Sequence, residues 1–311
     1  MQLDDLVQPG GRERPTRLMQ RRRPLLLGAW SGCALIWSSR RAARPTGRTA
    51  ASSKRCWSPR PEGTYVVRTL GDTGRVIVER AYAHLSSYDE DAWPWSVPCV
   101  RQLLDEGLRF TAPVTFLVGE NGSGKSTLVE ALAEGFGLDS YGGSHDWRYA
   151  SPRGKSALGE RMRFDAAARG RRMVSSWSAR KGFFLRAETA LDALGREGFS
   201  PDSVSHGEGF LAAFRGKFLH AGLYVLDEPE AALSFSSCLE LIGHIDRLAK
   251  EGGQVICATH SPLLTALPGA DIVEVGEHGL RRVAWQELGI VDHWRRYLAN
   301  PHAYLRHIVE P

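Results

Sequence analysis

Residues 114–127 read Val114-Thr115-Phe116-Leu117-Val118-Gly119-Glu120-Asn121-Gly122-Ser123-Gly124-Lys125-Ser126-Thr127, and this stretch decides the architecture. The first five residues form a continuous apolar or β-branched run, the mark of a strand buried on both faces in a parallel sheet. Gly119 ends the strand, and a helical period through Leu128, Ala131, Leu132 and Phe136 comes next. Between them, residues 119–127 fit G-x-x-x-x-G-K-[ST] in the strand-to-helix setting that the pattern requires. The glycines let the loop turn its main-chain N–H groups inward onto phosphate oxygens, and the helix N-terminus adds partial positive charge. Lys125 is expected to pair with β- and γ-phosphates, and Ser126 to offer its hydroxyl to Mg²⁺.

Working outward, Leu223-Tyr224-Val225-Leu226-Asp227-Glu228-Pro229-Glu230 is an apolar strand that delivers two acids at its C-terminal end, the edge at which open α/β sheets bind ligands. Asp227 is placed to hold Mg²⁺, and Glu228 to orient or deprotonate an attacking water. The next strand, Gln254 to Ala258, runs into Thr259-His260-Ser261-Pro262, which brings His260 within reach of the γ-phosphate or that water. Further strands are expected at Thr64 to Thr69 and Arg75 to Glu79, paired as a hairpin, and at Gly182 to Leu185. A closing hairpin is expected over Ala270 to Val283, turning at Gly276 to Gly279. Helices are expected over Val97 to Glu106, Ala187 to Leu194 and about Ala231 to Lys250, with helical runs around Pro301. Residues 139–180 lack a dominant period and read as loops and short helices. Alternating strands and helices give an α/β fold with a mostly parallel central sheet and flanking helices.

The 311 residues carry a formal charge of +5, but its distribution is uneven. Residues 1–60 hold 13 Lys and Arg against 3 Asp and Glu, so the rest of the chain is net −5. The basic balance belongs to the first sixty residues and does not argue that the folded body binds nucleic acid. Residues 1–60 read as an Arg-rich tail, disordered or not part of the natural product, and residues 61–311 as one domain. Five dispersed cysteines form no C-x-x-C pair, which fits a reducing cytoplasm better than a disulfide framework. Pro24 to Ser38 is the one stretch resembling a targeting segment; at about fifteen residues it is short of the ~20 needed to span a bilayer, so no membrane insertion is expected.

The three motifs together resemble the ABC-type ATPases, a superfamily that includes transporter ATPases and the SMC- and RecF-like proteins. GENGSGKST stands as the P-loop, LYVLDEPEAAL as Walker B with the D-loop, and ATHSP as the switch histidine. Val204-Ser205-His206-Gly207-Glu208-Gly209 stands where the family carries its signature, with His206 and Glu208 in place of the Gly and Gln usual in transporters. That form is similar to compact stand-alone bacterial members. The resemblance implies an antiparallel N-terminal β subdomain, a small helical subdomain within residues 139–210 that carries the signature, and ATP with Mg²⁺ as cofactors. It implies a nucleotide site of Gly119, Glu120, Asn121, Gly122, Ser123, Gly124, Lys125, Ser126 and Thr127, with metal on Ser126 and Asp227, and catalysis by Glu228, His260 and Lys125. It further implies a homodimer that sandwiches ATP, in which Ser205 and Gly207 of one subunit contact the γ-phosphate held by the other. Ser234 stands where many relatives have Asp in the D-loop, and no Gln is found at the Q-loop; Arg186-Ala187-Glu188 comes after the relevant strand, where Glu188 would approach Mg²⁺ and Arg186 a phosphate, a role weighed against the preferred reading of a helix-start salt bridge.

About eighty residues separate Ser126 from Ser205, too few for the long arms of SMC-type proteins, and no heptad array is present. Three uses of the ATP cycle stay open. One is a stand-alone cytoplasmic ATPase. Another is a transporter's ATP-binding subunit. The third is an ATP-switched DNA-associated repair or anti-phage protein, for which Arg153, Arg161, Arg163, Arg169, Arg171 and Arg172 would supply a local basic patch.

Overall fold

The structure, a computed structural model, describes residues 75–85, 87–144, 154–176, 181–190, 195, 211, 214–216, 218, 220–306 and 308–309. All of them belong to the larger of two units, which spans residues 66–311. The expected strand at residues 64–69, the basic tail and the signature residues Ser205 and Gly207 lie outside the described residues.

In chain order the strands are β1 (Val78–Ala83), β2 (Leu108–Arg109), β3 (Val114–Val118), β4 (Gly143–Ser144), β5 (Met162–Ala166), β6 (Gly182–Arg186), β7 (Leu223–Asp227), β8 (Gln254–Thr259), β9 (Asp271–Gly276) and β10 (Gly279–Arg282). The helices are α1 (Pro98–Asp105), α2 (Lys125–Phe136), α3 (Ala157–Arg161), α4 (Arg171–Ser175), α5 (Phe235–Lys250), α6 (Gly289–Ala299) and α7 (Pro301–Leu305). Seven strands form the main sheet in the order β10-β9-β3-β8-β7-β6-β4. Its five central strands are parallel, and β10 and β4 close the two edges antiparallel. A second, antiparallel sheet runs β2-β1-β5.

Every residue of β3, β7 and β8 is buried, as continuous apolar runs predict for inner parallel strands. Alternate side chains feed two cores. Leu117, Val225, Ile256 and Ala258 pack with α1, α2 and the small sheet, while Phe116, Tyr224, Leu226, Val255 and Cys257 pack with α5 and α6. Gln254 joins the two sheets. Fully buried at the head of β8, it accepts hydrogen bonds at Oε1 from the Ile77 and Val78 N–H groups, both 2.8 Å, and donates from Nε2 to the Val78 carbonyl at 3.0 Å.

The helix expected near residue 97 and the closing hairpin stand where the pattern puts them. Other elements differ. The strand expected at residues 75–79 is shifted to Val78–Ala83 and pairs with β2 and β5. The segment expected as loops and short helices contributes β4 and β5. The helix expected from about residue 231 begins at Phe235, because Pro229 to Ala232 form a tight 3-10 turn and Ser234 then caps α5, its Oγ accepting from the Ser237 N–H at 3.2 Å. The helix expected from residue 187 opens with a 3-10 turn, Ala187–Thr189; Ala190 and Gly195 are helical, and residues 191–194 lie outside the description.

Candidate functional site

The C-terminal ends of β3, β7 and β8 lie side by side, and the register aligns them: Val118 pairs with Thr259, and Asp227 with Ala258. The loops leaving these three strands therefore meet at one edge. After β3 the chain makes the glycine loop. A side-chain carbon at Gly119 would fall 2.1 Å from the Val275 carbonyl oxygen, and one at Gly124 would fall 2.6 Å from Cys99 Sγ with the backbone at φ +97°, so both positions demand glycine. Leu128 is the first residue of α2 to return a hydrogen bond, to the Gly124 carbonyl at 3.0 Å. The earlier N–H groups of that turn face outward over the loop, as at any helix start. Ser123 Oγ is buried with no hydrogen-bond partner among the described residues, and it lies beside Gly119 within the loop.

Lys125 is 3% exposed and donates from Nζ to the Glu120 carbonyl at 2.8 Å. Burial lowers its pKa, and the carboxylates of Glu228, Asp227 and Glu230 pull it back up. Ser126 Oγ donates to Asp227 Oδ1 at 3.2 Å. Asp227 is pushed up to about 6 by burial, against the opposing charge of Arg186 and the hydrogen bond from Ser126. Glu228 has a left-handed backbone (φ 49°, ψ 49°), alone among the described non-glycine residues, and its N–H still donates to the Ala258 carbonyl at 2.9 Å. Its Oε1 lies 2.5 Å from His260 Nε2. The structure thus brings together Lys125, Ser126, Asp227, Glu228 and His260, the five side chains expected to act jointly.

Two residues of this cluster have partners that sequence reasoning misses. Glu230 Oε1 accepts from Thr259 Oγ1 at 2.5 Å and from the His260 N–H at 2.8 Å, so it fixes the backbone that carries the histidine. Arg186 reaches past the expected contact with Glu188 to Glu130 on α2 and to Asp227. Both contacts join elements distant in sequence and leave no local spacing to detect; the Asp-Glu-Pro-Glu run is the one available hint for Glu230. Two arginines of the suggested basic patch are engaged by main-chain carbonyls, Arg169 with those of Arg75 and Gly252, and Arg163 with those of Glu160 and Met162.

A cleft of about 740 Å³ opens beside the loop between Gly119–Ser123, His260, the β9–β10 turn and the start of α6, reaching Trp294. Chemically, the edge offers outward N–H groups, one buried ammonium, a hydroxyl–carboxylate pair able to hold a hard divalent cation, and a carboxylate–imidazole pair able to hold a water.

Comparison with known proteins matches residues 100–155 to the family model described as "AAA domain" and residues 189–266 to the one described as "AAA domain, putative AbiEii toxin, Type IV TA system". The chain is 32% identical over 187 residues to the ribose import ATP-binding protein RbsA 1 of Rhizobium meliloti (strain 1021), covering 53% of this chain and 37% of that protein. It therefore spans little more than a third of that relative. It is also 32% identical over 162 residues to the cytochrome c biogenesis ATP-binding export protein CcmA of Rhizobium johnstonii, covering 47% of this chain and 75% of that one. Among solved structures, cbiO1 from Clostridium perfringens, part of the ABC transporter complex cbiONQ, aligns at TM-score 0.39 and 18% identity over 65% of this chain and 90% of that one. Among the described residues no helix is long and apolar enough to cross a membrane.

Proposed function

The chain belongs to the ABC-type P-loop ATPases, and on that footing we propose that it binds Mg·ATP on the Gly119–Thr127 loop and hydrolyses it to ADP and phosphate. The observation that carries this reading is the meeting of Lys125, Ser126, Asp227, Glu228 and His260 at one sheet edge. The glycine backbone and the unpartnered Ser123 hydroxyl fit phosphate oxygens, and Ser126 with Asp227 fits a hard cation. Such a cation, when bound, neutralises phosphate charge. The outward N–H groups bind and orient the phosphates, Lys125 adds fixed charge, and Glu228 with His260 aligns a water and accepts its proton at Glu228 Oε1. Glu230 keeps the imidazole in place through the backbone of residue 260.

Two copies close over ATP, Ser205 and Gly207 of each completing the site of the other, and hydrolysis reopens them in the cytoplasm. Comparing wild type with Glu228→Gln tests this: the variant is expected to bind ATP, release phosphate slower by a factor of roughly 10²–10³, and accumulate as a dimer. A variant that turns over at the wild-type rate removes Glu228 from the chemistry. A second use of the same cycle, as the ATP-binding subunit of a membrane assembly, is favoured by the names of the import and export relatives. Recovery of the ATP-trapped variant with membrane protein, against recovery on its own, separates the two.

A further inference from the structure

Arg186 ends β6, where the register sets it opposite Asp227 on β7. Three carboxylates surround its guanidinium: Glu130 Oε2 at 3.3 Å from Nη1, Glu188 Oε2 at 3.6 Å from Nε, and Asp227 Oδ2 at 3.9 Å from Nε. Ser126 takes the other oxygen of Asp227. The carboxylate is therefore engaged on both sides, by a hydroxyl on one and a fixed cation on the other. A buried carboxylate without a counter-charge is costly, and Arg186 is first among the groups that oppose that cost at Asp227. The grip is graded. Glu130 and Glu188 hold the guanidinium more closely than Asp227 does, so Asp227 can release it without stranding a charge.

We propose that Arg186 is a positioning residue, a tethered counter-ion that keeps Asp227 paired in the metal-free protein and is relinquished when a divalent cation arrives. Metal loading is then an exchange of one cation for another on Asp227, and the arginine sets its concentration scale. The guanidinium's fork suits this duty, because it serves three acids from one fixed plane. This inference rests on the reading of Ser126 and Asp227 as the metal-holding pair.

The test measures the Mg²⁺ concentration needed for half-maximal binding of a non-hydrolysable ATP analogue at pH 8, by calorimetry, with melting temperature followed in parallel. Removing one positive charge about 4 Å from the metal-holding oxygen in Arg186→Gln is expected to lower that concentration about tenfold. Arg186→Lys keeps the charge but cannot serve three carboxylates, and is expected to lie between; it also carries the test if the Gln variant does not fold. An unchanged or increased Mg²⁺ requirement in a folded variant overturns the proposal, since a merely structural arginine would lower the melting temperature and leave the requirement in place. If wild type shows no Mg²⁺-dependent analogue binding, the nucleotide site itself is misassigned. If wild type responds and Arg186→Gln does not shift, the counter-ion role alone fails.

Discussion

Asp227 holds its proton to about pH 6 in the folded chain, against 3.8 for an ordinary aspartate. Between those values the folded state carries more protons than the unfolded one, so stability falls as pH rises from about 4 to about 6 and stays at the lower level above. The cost of ionising this one group is about 3 kcal/mol. Glu134, raised by burial, acts in the same direction. Without metal, Asp227→Asn is therefore expected to melt higher than wild type at pH 8, by on the order of 5 °C, by about half that margin at pH 5, and level with it only below about pH 4. Equal melting at both values would mean that Asp227 is not strained by its site. Lys125→Ala should weaken ATP binding at least about 100-fold, some 2.7 kcal/mol, in calorimetry; undiminished affinity would remove the loop as the phosphate site. At this scale the loop, the acidic pair and the histidine are legible because each comes after a strand at a fixed offset. Arg186 and Glu230 are not, because their partners come from other elements.

Element packing turns on Gln254. Its side chain satisfies two main-chain N–H groups and a carbonyl where the sheets join. Gln254→Leu roughly keeps the volume and leaves the Ile77 and Val78 N–H groups buried and unpaired, at about 1–3 kcal/mol each. A drop in unfolding free energy of about 2 kcal/mol or more is expected from urea denaturation, and a loss below about 1 kcal/mol would show that water replaces the amide. The inner parallel strands announce themselves by composition, since burial on both faces leaves their central residues mostly apolar. Strand β5, Met-Arg-Phe-Asp-Ala, gives a weaker signal. It alternates, it is brief, and its partner β1 lies some eighty residues upstream. Its pairing is decided by the packing of α2 against the small sheet, which no local window contains.

For the whole molecule the expected behaviour is nucleotide-linked mass. Light scattering of Glu228→Gln should give a monomer without ATP and a dimer with it. A monomer under every nucleotide condition would remove the two-copy mechanism and leave the loop intact. The α/β class comes from the order of apolar runs alone. How two copies would meet does not, because the proposed closure assigns that role to residues 204–209, whose sequence carries no strand or helix period. Charge illustrates the same limit: the overall +5 hides a net-acidic body, so the sum alone misleads about partners.

The left-handed turn at Glu228 bears on how variants at this position should be interpreted. A residue branched at Cβ crowds its own carbonyl in that conformation, so Val, Ile or Thr here would unmake the corner after β7 and displace Glu230 with it. Loss of turnover in such substitutions would record a collapsed hinge rather than a missing base. Gln, unbranched and equal in length, keeps the corner and alters the proton chemistry alone.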